Sequence, residues 1–231
     1  MKFGETSSKP YEGNHAFAFK TAKTEQTFYS QSSPHTYPPS VELFKQGGMA
    51  QEIYFIDSGI VKLVHHDSDG QEMIVGLRTP NWVLGAAPVL LQKPFPTSAQ
   101  TLTRCCLRRM PMEVFLHLVR SDAEFSWRIH QIHSHEIYEE TIHVAQLGRR
   151  SARHRLEQLL WQLASTVTSS ETQEEMRLQL PLKHWEVAEL LAITPQHLSR
   201  VLKQMQQDGM IRQYKGWLIL PDPQKLYHTI D

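Results

Sequence analysis

The chain has 231 residues, of which 40% are hydrophobic and 21% charged, values ordinary for a globular protein with one large domain or two modest ones. Lysine plus arginine equals aspartate plus glutamate at 24 each, so any attraction to nucleic acid has to come from a local basic patch. The adjacent pair Cys105 and Cys106 excludes a disulfide framework and a four-thiolate cluster. No apolar run approaches the ~20 residues of a membrane helix, and no signal-peptide core is present, so we expect a cytoplasmic protein.

Residues 1–35 are rich in Ser, Thr, Lys and Gln and are predicted to form a weakly ordered N-terminal segment. From Val41 onward, short apolar runs such as Ile53–Ile56 and Ile60–Val64 alternate with turn residues. Strands spaced this closely predict an antiparallel β barrel or jelly roll over residues 36–120.

The strand pattern ends near Met110, and two helices are predicted after it, over 112–119 and 121–147. The apolar residues of the long helix keep roughly helical spacing: Phe125, Ile129, Ile132, Ile137, Ile142 and Ala145. Because Glu136 and Glu139 interrupt this stripe, two interpretations stay open. The helix either pairs with a second copy, with its polar middle facing pockets of the barrels, or packs on the barrel of its own subunit. Gly148 is expected to permit a bend before the next helix.

Residues 185–202 predict two short amphipathic helices joined by a tight turn, the pattern of a helix-turn-helix. Thr194 has the chemistry of an N-cap, and Pro195 suits the first helical position. A β-hairpin with Gly216 in its turn is predicted to follow as the wing. The region 148–231 is therefore predicted to be a winged helix-turn-helix that binds DNA.

The polar face of the second helix supplies the candidate base-reading residues Thr194, Gln196, His197, Ser199 and Arg200. Arginine recognises guanine and glutamine recognises adenine bidentately, and each good pair discriminates by ~1–3 kcal/mol. The candidate phosphate contacts are Lys183, Lys203 and Lys215, together with His184. The alternative is an ordinary helical hairpin with a solvated face, but the cap, the proline, the paired apolar stripes and the hairpin agree with one another.

These segments together resemble the bacterial regulators typified by the cyclic-AMP receptor protein and the fumarate–nitrate regulator. The resemblance runs from Val41 to Leu220 and includes Ile53–Gly59, Pro80–Ala99 and Val187–Lys203. It implies an α+β protein with an N-terminal antiparallel jelly roll, a long dimerisation helix and a C-terminal winged helix-turn-helix. The family's glutamate on the reading face is Gln196 here, so a shifted half-site is expected.

The resemblance also implies the partners: double-stranded DNA with a near-palindromic site and a second copy of the chain. RNA polymerase is a further candidate partner, the effector is unidentified, and no membrane is expected.

In family members that bind cyclic nucleotides, a glutamate follows a glycine and an arginine precedes Ser-Ala. Here Ala86 follows Gly85, and Thr97 precedes Ser98 and Ala99. Without the guanidinium, a phosphodiester loses a charge-assisted contact of ~1.5–3 kcal/mol. We therefore expect no useful affinity for cyclic AMP.

Two interpretations of the pocket formed by these positions stay open. Ser98 and backbone amides near Gly85 could hold another, less anionic ligand. Alternatively, the pocket is filled by its own side chains, Leu90, Leu91 and Phe95.

Other functions have weaker support. Histidines crowd the long helix, but none has a metal-binding partner at a diagnostic spacing, so no metal and no cofactor are predicted. A cupin-like metal enzyme would use His65, His66 and Glu72, yet it leaves the helix-turn-helix unexplained, and no enzyme activity is expected. A constitutive DNA-binding protein with a degenerate sensor is the third possibility.

Overall fold

The structure, a computed structural model, describes residues 19–149, 151–166 and 175–227. The strands of its N-terminal part are β1 Ser33–Tyr37, β2 Glu42–Phe44, β3 Glu52–Ser58, β4 Val61–His66, β5 Glu72–Arg78, β6 Val83–Leu84, β7 Ser98–Thr101 and β8 Cys105–Pro111. The helices of this part are α1 Ala22–Gln31, α2 Ala86–Leu91, α3 Met112–Ser121 and α4 Ala123–Arg149. The C-terminal part contains α5 Ala152–Ser165, β9 Met176–Leu178, α6 His184–Leu190, α7 Pro195–Gln207, β10 Arg212–Tyr214, β11 Trp217–Leu220 and α8 Gln224–Tyr227. Within the described ranges, no helix combines the length and the apolar character needed to cross a membrane.

The N-terminal part is a jelly roll of two antiparallel sheets, with strand orders β1-β8-β3-β6 and β2-β7-β4-β5. Side chains that alternate along the strands point between the sheets, and Ile56, Val61, Ala99 and Leu107 are buried there. The predicted jelly roll is confirmed.

Helix α1 corrects the prediction of a weakly ordered segment over 1–35. The helix starts at the N-cap Thr21, and the aromatic ring of Phe28 is fully buried beside those of Phe55 and Phe125, with centroids 4.8 and 6.4 Å away. One aromatic side chain seated on the barrel stabilises a helix whose other residues are mostly polar. Residues 1–18 lie outside the described ranges, and the prediction for them stays a prediction.

Helix α4 divides the predicted apolar stripe into two parts. Phe125, Ile129 and Ile132 are buried against the outer face of the barrel, whereas Ile137 is 68% exposed. The N-terminal half of the helix therefore packs on its own subunit, and the C-terminal half presents apolar side chains to solvent. The helical backbone continues to Arg149, one residue beyond Gly148, and the bend expected before the next helix stays a prediction.

The C-terminal part is a winged helix-turn-helix in which α5 contacts α7, α8 and strand β9 of the sheet β10-β11-β9, and α6 contacts α7. Its core consists of buried aliphatic side chains from these elements, among them Leu156, Leu160, Val187, Leu198, Val201, Met205, Leu218 and Leu220. Lys215 and Gly216 have φ values of +47° and +82°, the left-handed conformation that a two-residue type I′ turn requires. The predicted wing is confirmed.

Candidate DNA interface and effector pocket

Helix α7 is positioned by its cap and by its apolar side. The Thr194 hydroxyl accepts a hydrogen bond from the His197 amide at 3.2 Å, and Pro195 occupies the first turn, where its missing N–H costs nothing. Leu198, Val201 and Met205 are buried in the core of the domain. This packing fixes which face of the helix points outward.

The outward face of α7 carries the side chains expected to meet DNA. Gln196, His197, Arg200 and Lys203 are all exposed. Among the described residues, neither Arg200 nor Lys203 has an ion-pair partner. The Arg200 guanidinium is therefore available for a bidentate contact with a guanine edge.

Ser199 links α7 to the start of α6. Its hydroxyl donates to the Pro195 carbonyl oxygen at 3.1 Å and lies 3.4 Å from His184 Nε2. His184 is the first residue of α6 and is exposed. The contact places His184 and the reading helix on one continuous surface.

Two of the candidate phosphate-binding lysines lie beside exposed aromatic rings. Lys183 Nζ is 6.0 Å from the Trp185 ring centroid, and Lys215 Nζ is 5.3 Å from that of Tyr214. Trp185 and Tyr214 are 48% and 60% exposed. Sequence reasoning missed these aromatic residues, although each is next or nearly next to a lysine already singled out. Their rings restrict the lysine side chains through cation–π contacts.

The segment Pro80–Ala99, which matches the family's phosphate-binding cassette and is called the cassette below, has its key positions at the junction of β6, α2 and β7. Gly85 has φ +88°, and a Cβ there would lie 3.0 Å from the Glu52 carbonyl oxygen. Ala86 and Ala99 are fully buried, and the buried Ser98 hydroxyl accepts a hydrogen bond from the Gln46 amide at 3.0 Å. Thr97 is half-buried. The only charged residue between Gly85 and Ala99 is Lys93, which is exposed.

Phe95 is the one expected filler residue that points into the fold. Its ring stacks on that of Phe44 with centroids 3.8 Å apart and planes 8° apart. Leu90 and Leu91 are 41% and 64% exposed, so the alternative in which they help to fill the pocket is wrong for these two residues. The reason is that the short helix α2 uses Ala86 and Val89, three residues apart, to face inward.

An arginine lies on the inner face of the barrel and is already paired. Arg109 Nε donates to the Glu52 carboxylate at 2.9 Å, in a bidentate arrangement. The Tyr54 hydroxyl lies 3.3 Å from the same carboxylate, and burial raises the pKa of Tyr54 to about 12. This guanidinium is therefore neutralised by its own carboxylate and does not replace the missing phosphate ligand.

A groove of ≈ 510 Å³ lies between β5 and the C-terminal half of α4, lined by Arg78, Glu136, Ile137, Glu140, Thr141 and Val144. Arg78 Nη2 donates to Glu140 at 2.9 Å, and the guanidinium lies 4.2 Å from the Trp82 ring centroid. Burial raises the pKa of Glu136 to about 7. Because Glu140 is already paired with the Arg78 guanidinium, no unpaired cation remains among the lining residues to bind an anion. The sequence feature that could have indicated this groove is Glu136, which interrupts the apolar stripe of the long helix.

Residues 34–122 match the family model described as Cyclic nucleotide-binding domain, and residues 154–229 match the Crp-like helix-turn-helix domain. The two models together account for more than two thirds of the chain. The chain belongs to the CRP/FNR family of transcriptional regulators.

The regulator is 23% identical to the nitrogen fixation regulation protein FixK of Azorhizobium caulinodans, over 84% of this chain and 77% of that protein. It is 25% identical to the transcriptional activator protein FnrL of Cereibacter sphaeroides, over 82% of this chain and 75% of that protein. The fold is similar to that of FixK2 from Bradyrhizobium japonicum, with a TM-score of 0.70, 19% identity and coverage of 87% and 98% of the two chains.

The arginines near the start of α5 have structural roles in this regulator. Arg153 pairs with Glu157 at 2.9 Å and with Asp208, and Arg155 Nε donates to the Leu191 carbonyl oxygen at 3.0 Å. These contacts hold α5 against the helix-turn-helix. Arg153 and Arg155 are basic, as DNA-contacting residues are, but they are already bonded within the protein. Arg150 lies outside the described residues, and so does the side chain of Arg149.

The histidines and cysteines of the regulator form no clear reactive site in the described ranges. No group of three or more metal-ligating side chains occurs there. His66 lies 3.3 Å from Glu72, and His130 Nδ1 contacts the Ser126 carbonyl oxygen at 2.8 Å. Burial raises the pKa of both Cys105 and Cys106, which disfavours the reactive thiolate.

Proposed function

We propose that this regulator binds a near-palindromic DNA site as a homodimer and does not depend on cyclic AMP. The observation that carries the proposal is the outward face of α7, where Arg200 is exposed and has no ion-pair partner among the described residues. Thr194, Gln196, His197 and Ser199 share that surface. Lys183, Lys203 and Lys215 are exposed around it and suit contacts with phosphates.

The base preference follows from two side chains on that face. Arg200 favours guanine, because its forked donors match the O6 and N7 acceptors. Gln196 favours adenine, because its amide both donates and accepts. The half-site should therefore contain a guanine and an adenine at neighbouring positions of the major groove.

The exposed side of α4 supports a dimer. Its residues repeat at heptad spacing in two rows, Trp127, Ser134 and Thr141 in one and His130, Ile137 and Val144 in the other. Trp127, Ile137 and Val144 are 59%, 68% and 66% exposed, an unusual amount of apolar surface on one helix. Exposed apolar side chains along one side of a helix favour packing against the same helix of a second copy. A two-fold dimer places its two α7 helices about one turn of DNA apart.

The cassette supports independence from cyclic AMP. Ala86 and Thr97 replace the carboxylate and guanidinium that a cyclic nucleotide needs, and Arg109 is neutralised by Glu52. The stacked rings of Phe44 and Phe95 support the second candidate function, constitutive DNA binding with the sensor domain as a dimerisation scaffold. Contact with RNA polymerase stays a prediction, to be checked by transcription in vitro.

Selection of bound fragments from random duplex DNA tests the proposal, with and without cyclic AMP and cyclic GMP. We expect inverted repeats whose half-sites are about 10 base pairs apart, enriched equally under all conditions. Strong nucleotide dependence would contradict the cassette argument. Enrichment of single, unrepeated sites would contradict the dimer.

A further inference from the structure

A buried ion pair joins the sensor domain to the DNA-binding domain. Lys62 Nζ of β4 lies 2.8 Å from Glu186 Oε1 of α6. The side chains are only 12% and 7% exposed. A pair this buried constrains geometry, because removing either partner leaves an uncompensated charge in a poorly hydrated place.

The strand pattern explains why Lys62 points at the other domain. Its neighbours Val61 and Leu63 pack in the barrel interior, so the pleat sends Lys62 to the outer face. Lys62 is opposite Gln100 of β7 and Leu77 of β5. The lysine therefore stands next to the strand that carries the cassette residues Ser98 and Ala99.

Glu186 connects the pair to the start of the DNA surface. Its second oxygen, Oε2, accepts a hydrogen bond from the Lys183 amide at 2.7 Å, which caps α6. Burial acts to raise the pKa of Glu186, but the hydrogen bonds from Lys62 and Lys183 outweigh burial and lower it. The carboxylate thus stays ionised while it holds both the sensor lysine and the helix that begins with His184.

The surroundings of the pair are apolar and closed, while the reading face is open. Ile60, Val64, Ile74 and Leu77 of the sensor domain are buried in the same cluster as the core of the DNA-binding domain. Strand β5 contacts α6 directly. Next to the pair, Lys183 and His184 remain exposed, as does Arg200 on α7. The docked arrangement leaves the DNA surface uncovered and is compatible with binding.

We propose that Lys62 is a positioning residue for DNA recognition. It acts through Glu186 to hold the winged helix-turn-helix, with its helix α7, in a fixed orientation on the sensor domain. The proposal rests on the proposed dimeric function. The two α7 helices of a dimer must be held at one spacing to bind both half-sites together. If the orientation of each domain is already fixed in the free protein, binding loses less conformational entropy. The pair should therefore strengthen binding to the full palindrome and leave binding to one half-site unchanged.

The first test measures orientation without DNA, in the full chain. Spin labels at the exposed positions Asp69→Cys and Gln207→Cys, in a Cys106→Ser background, report the distance between the domains. The labelled protein is mixed with an excess of unlabelled protein, so that each dimer carries one labelled subunit. The parent with Lys62 should then give one narrow distance distribution, and Lys62→Glu a broad one because two carboxylates then face each other. Equal narrow distributions in both proteins would overturn the proposal.

The second test measures affinity for a full palindrome and for a single half-site. Lys62→Glu should weaken full-site binding about tenfold and leave half-site binding unchanged, the signature of reduced pre-organisation. Adding Glu186→Gln should restore much of the loss, because the amide can donate through nitrogen to the carboxylate introduced at position 62 and accept through oxygen from the Lys183 amide. Lys45→Glu is the matched control, since it makes the same charge change at an exposed sensor-domain pair with Glu42.

The outcomes separate the two ideas. Equal losses on full and half sites would show that Lys62 merely supports folding and would overturn the positioning role. The same loss in Lys45→Glu would assign the effect to net charge and overturn it too. A parent protein that shows no preference for the full site would instead contradict the dimeric function, and the distance measurement still decides whether Lys62 fixes the orientation.

Discussion

The Ser199 hydroxyl donates to the Pro195 carbonyl oxygen at 3.1 Å, one turn back along α7. Because its proton is used inside the helix, the oxygen offers DNA an acceptor. That acceptor suits a base amino group, such as N4 of cytosine or N6 of adenine. Arg200, the next residue, offers only donors, so we expect the two neighbours to recognise opposite chemical groups on the bases.

Replacement of Arg200 by alanine should cost more specificity than replacement of Ser199. We expect Arg200→Ala to lose ~1–3 kcal/mol on the selected site and to relax the preference for one guanine per half-site. Ser199→Ala should lose ~0.5–1.5 kcal/mol, the range of a single neutral hydrogen bond. Fluorescence anisotropy on selected and scrambled duplexes measures both, and equal losses on the two duplexes would argue against base reading.

The wing should contribute to the affinity for DNA without contributing to base specificity. Lys215→Ala should weaken binding to all duplexes alike, and the slope of log K against log salt should become shallower by about 0.9 for each phosphate that is no longer neutralised. Titrations at several salt concentrations measure the slope. Lys93→Ala serves as the control, because Lys93 is an exposed lysine of the cassette and should leave the slope unchanged.

Glu136 should make stability fall as pH rises. Its pKa is raised from 4.5 in the unfolded chain to about 7 in the folded protein, chiefly by burial. Between these values the folded state binds more protons than the unfolded state, so the free energy of unfolding decreases through this window and levels off above it.

Thermal unfolding of the parent and of Glu136→Gln, from about pH 4.5 to about pH 8, checks this dependence. The glutamine cannot ionise, so its variant should lack the decrease attributable to residue 136 and should be the more stable protein at the high end. Identical pH profiles would show that Glu136 does not titrate in this window.

The cassette serine should have a structural role. Ser98→Ala removes the acceptor of the Gln46 amide and should lower the free energy of unfolding by ~1 kcal/mol, without weakening DNA binding to the selected site. Thr97→Ala is the neighbouring control, because the Thr97 hydroxyl makes no hydrogen bond with the described residues. Chemical denaturation measures both, and a larger loss in the Thr97 variant would contradict the assignment.

The helix-turn-helix was predictable because its signals are local. The Thr194 cap, the proline at the first turn and the apolar spacing of Leu198, Val201 and Met205 all act within a few residues of one another. The jelly roll was predictable for the same reason, since turns and alternation recur every few residues. The candidate contacts on α7 followed from that frame and remain to be tested with DNA.

Long-range packing decided what the sequence did not. Phe28 holds α1 on the barrel, although the segment around it is polar. In α4, Ile132 is buried in the cluster around Phe55, whereas Ile137 is 68% exposed and lines a groove beside β5. Leu90 and Leu91 point outward because Ala86 and Val89 occupy the inward face of α2.

The sequence by itself determined the two domain types, the helix proposed to contact the bases and the absence of an arginine before Ser98 in the cassette, since each depends on residue chemistry or on short-range spacing. Only the tertiary structure decided how the domains meet. Lys62 and Glu186 are 124 positions apart, and their charges give no sign of a partner until folding brings β4 and α6 together. Local structure depends on neighbouring residues, whereas the contact between domains depends on the shapes of two complete surfaces.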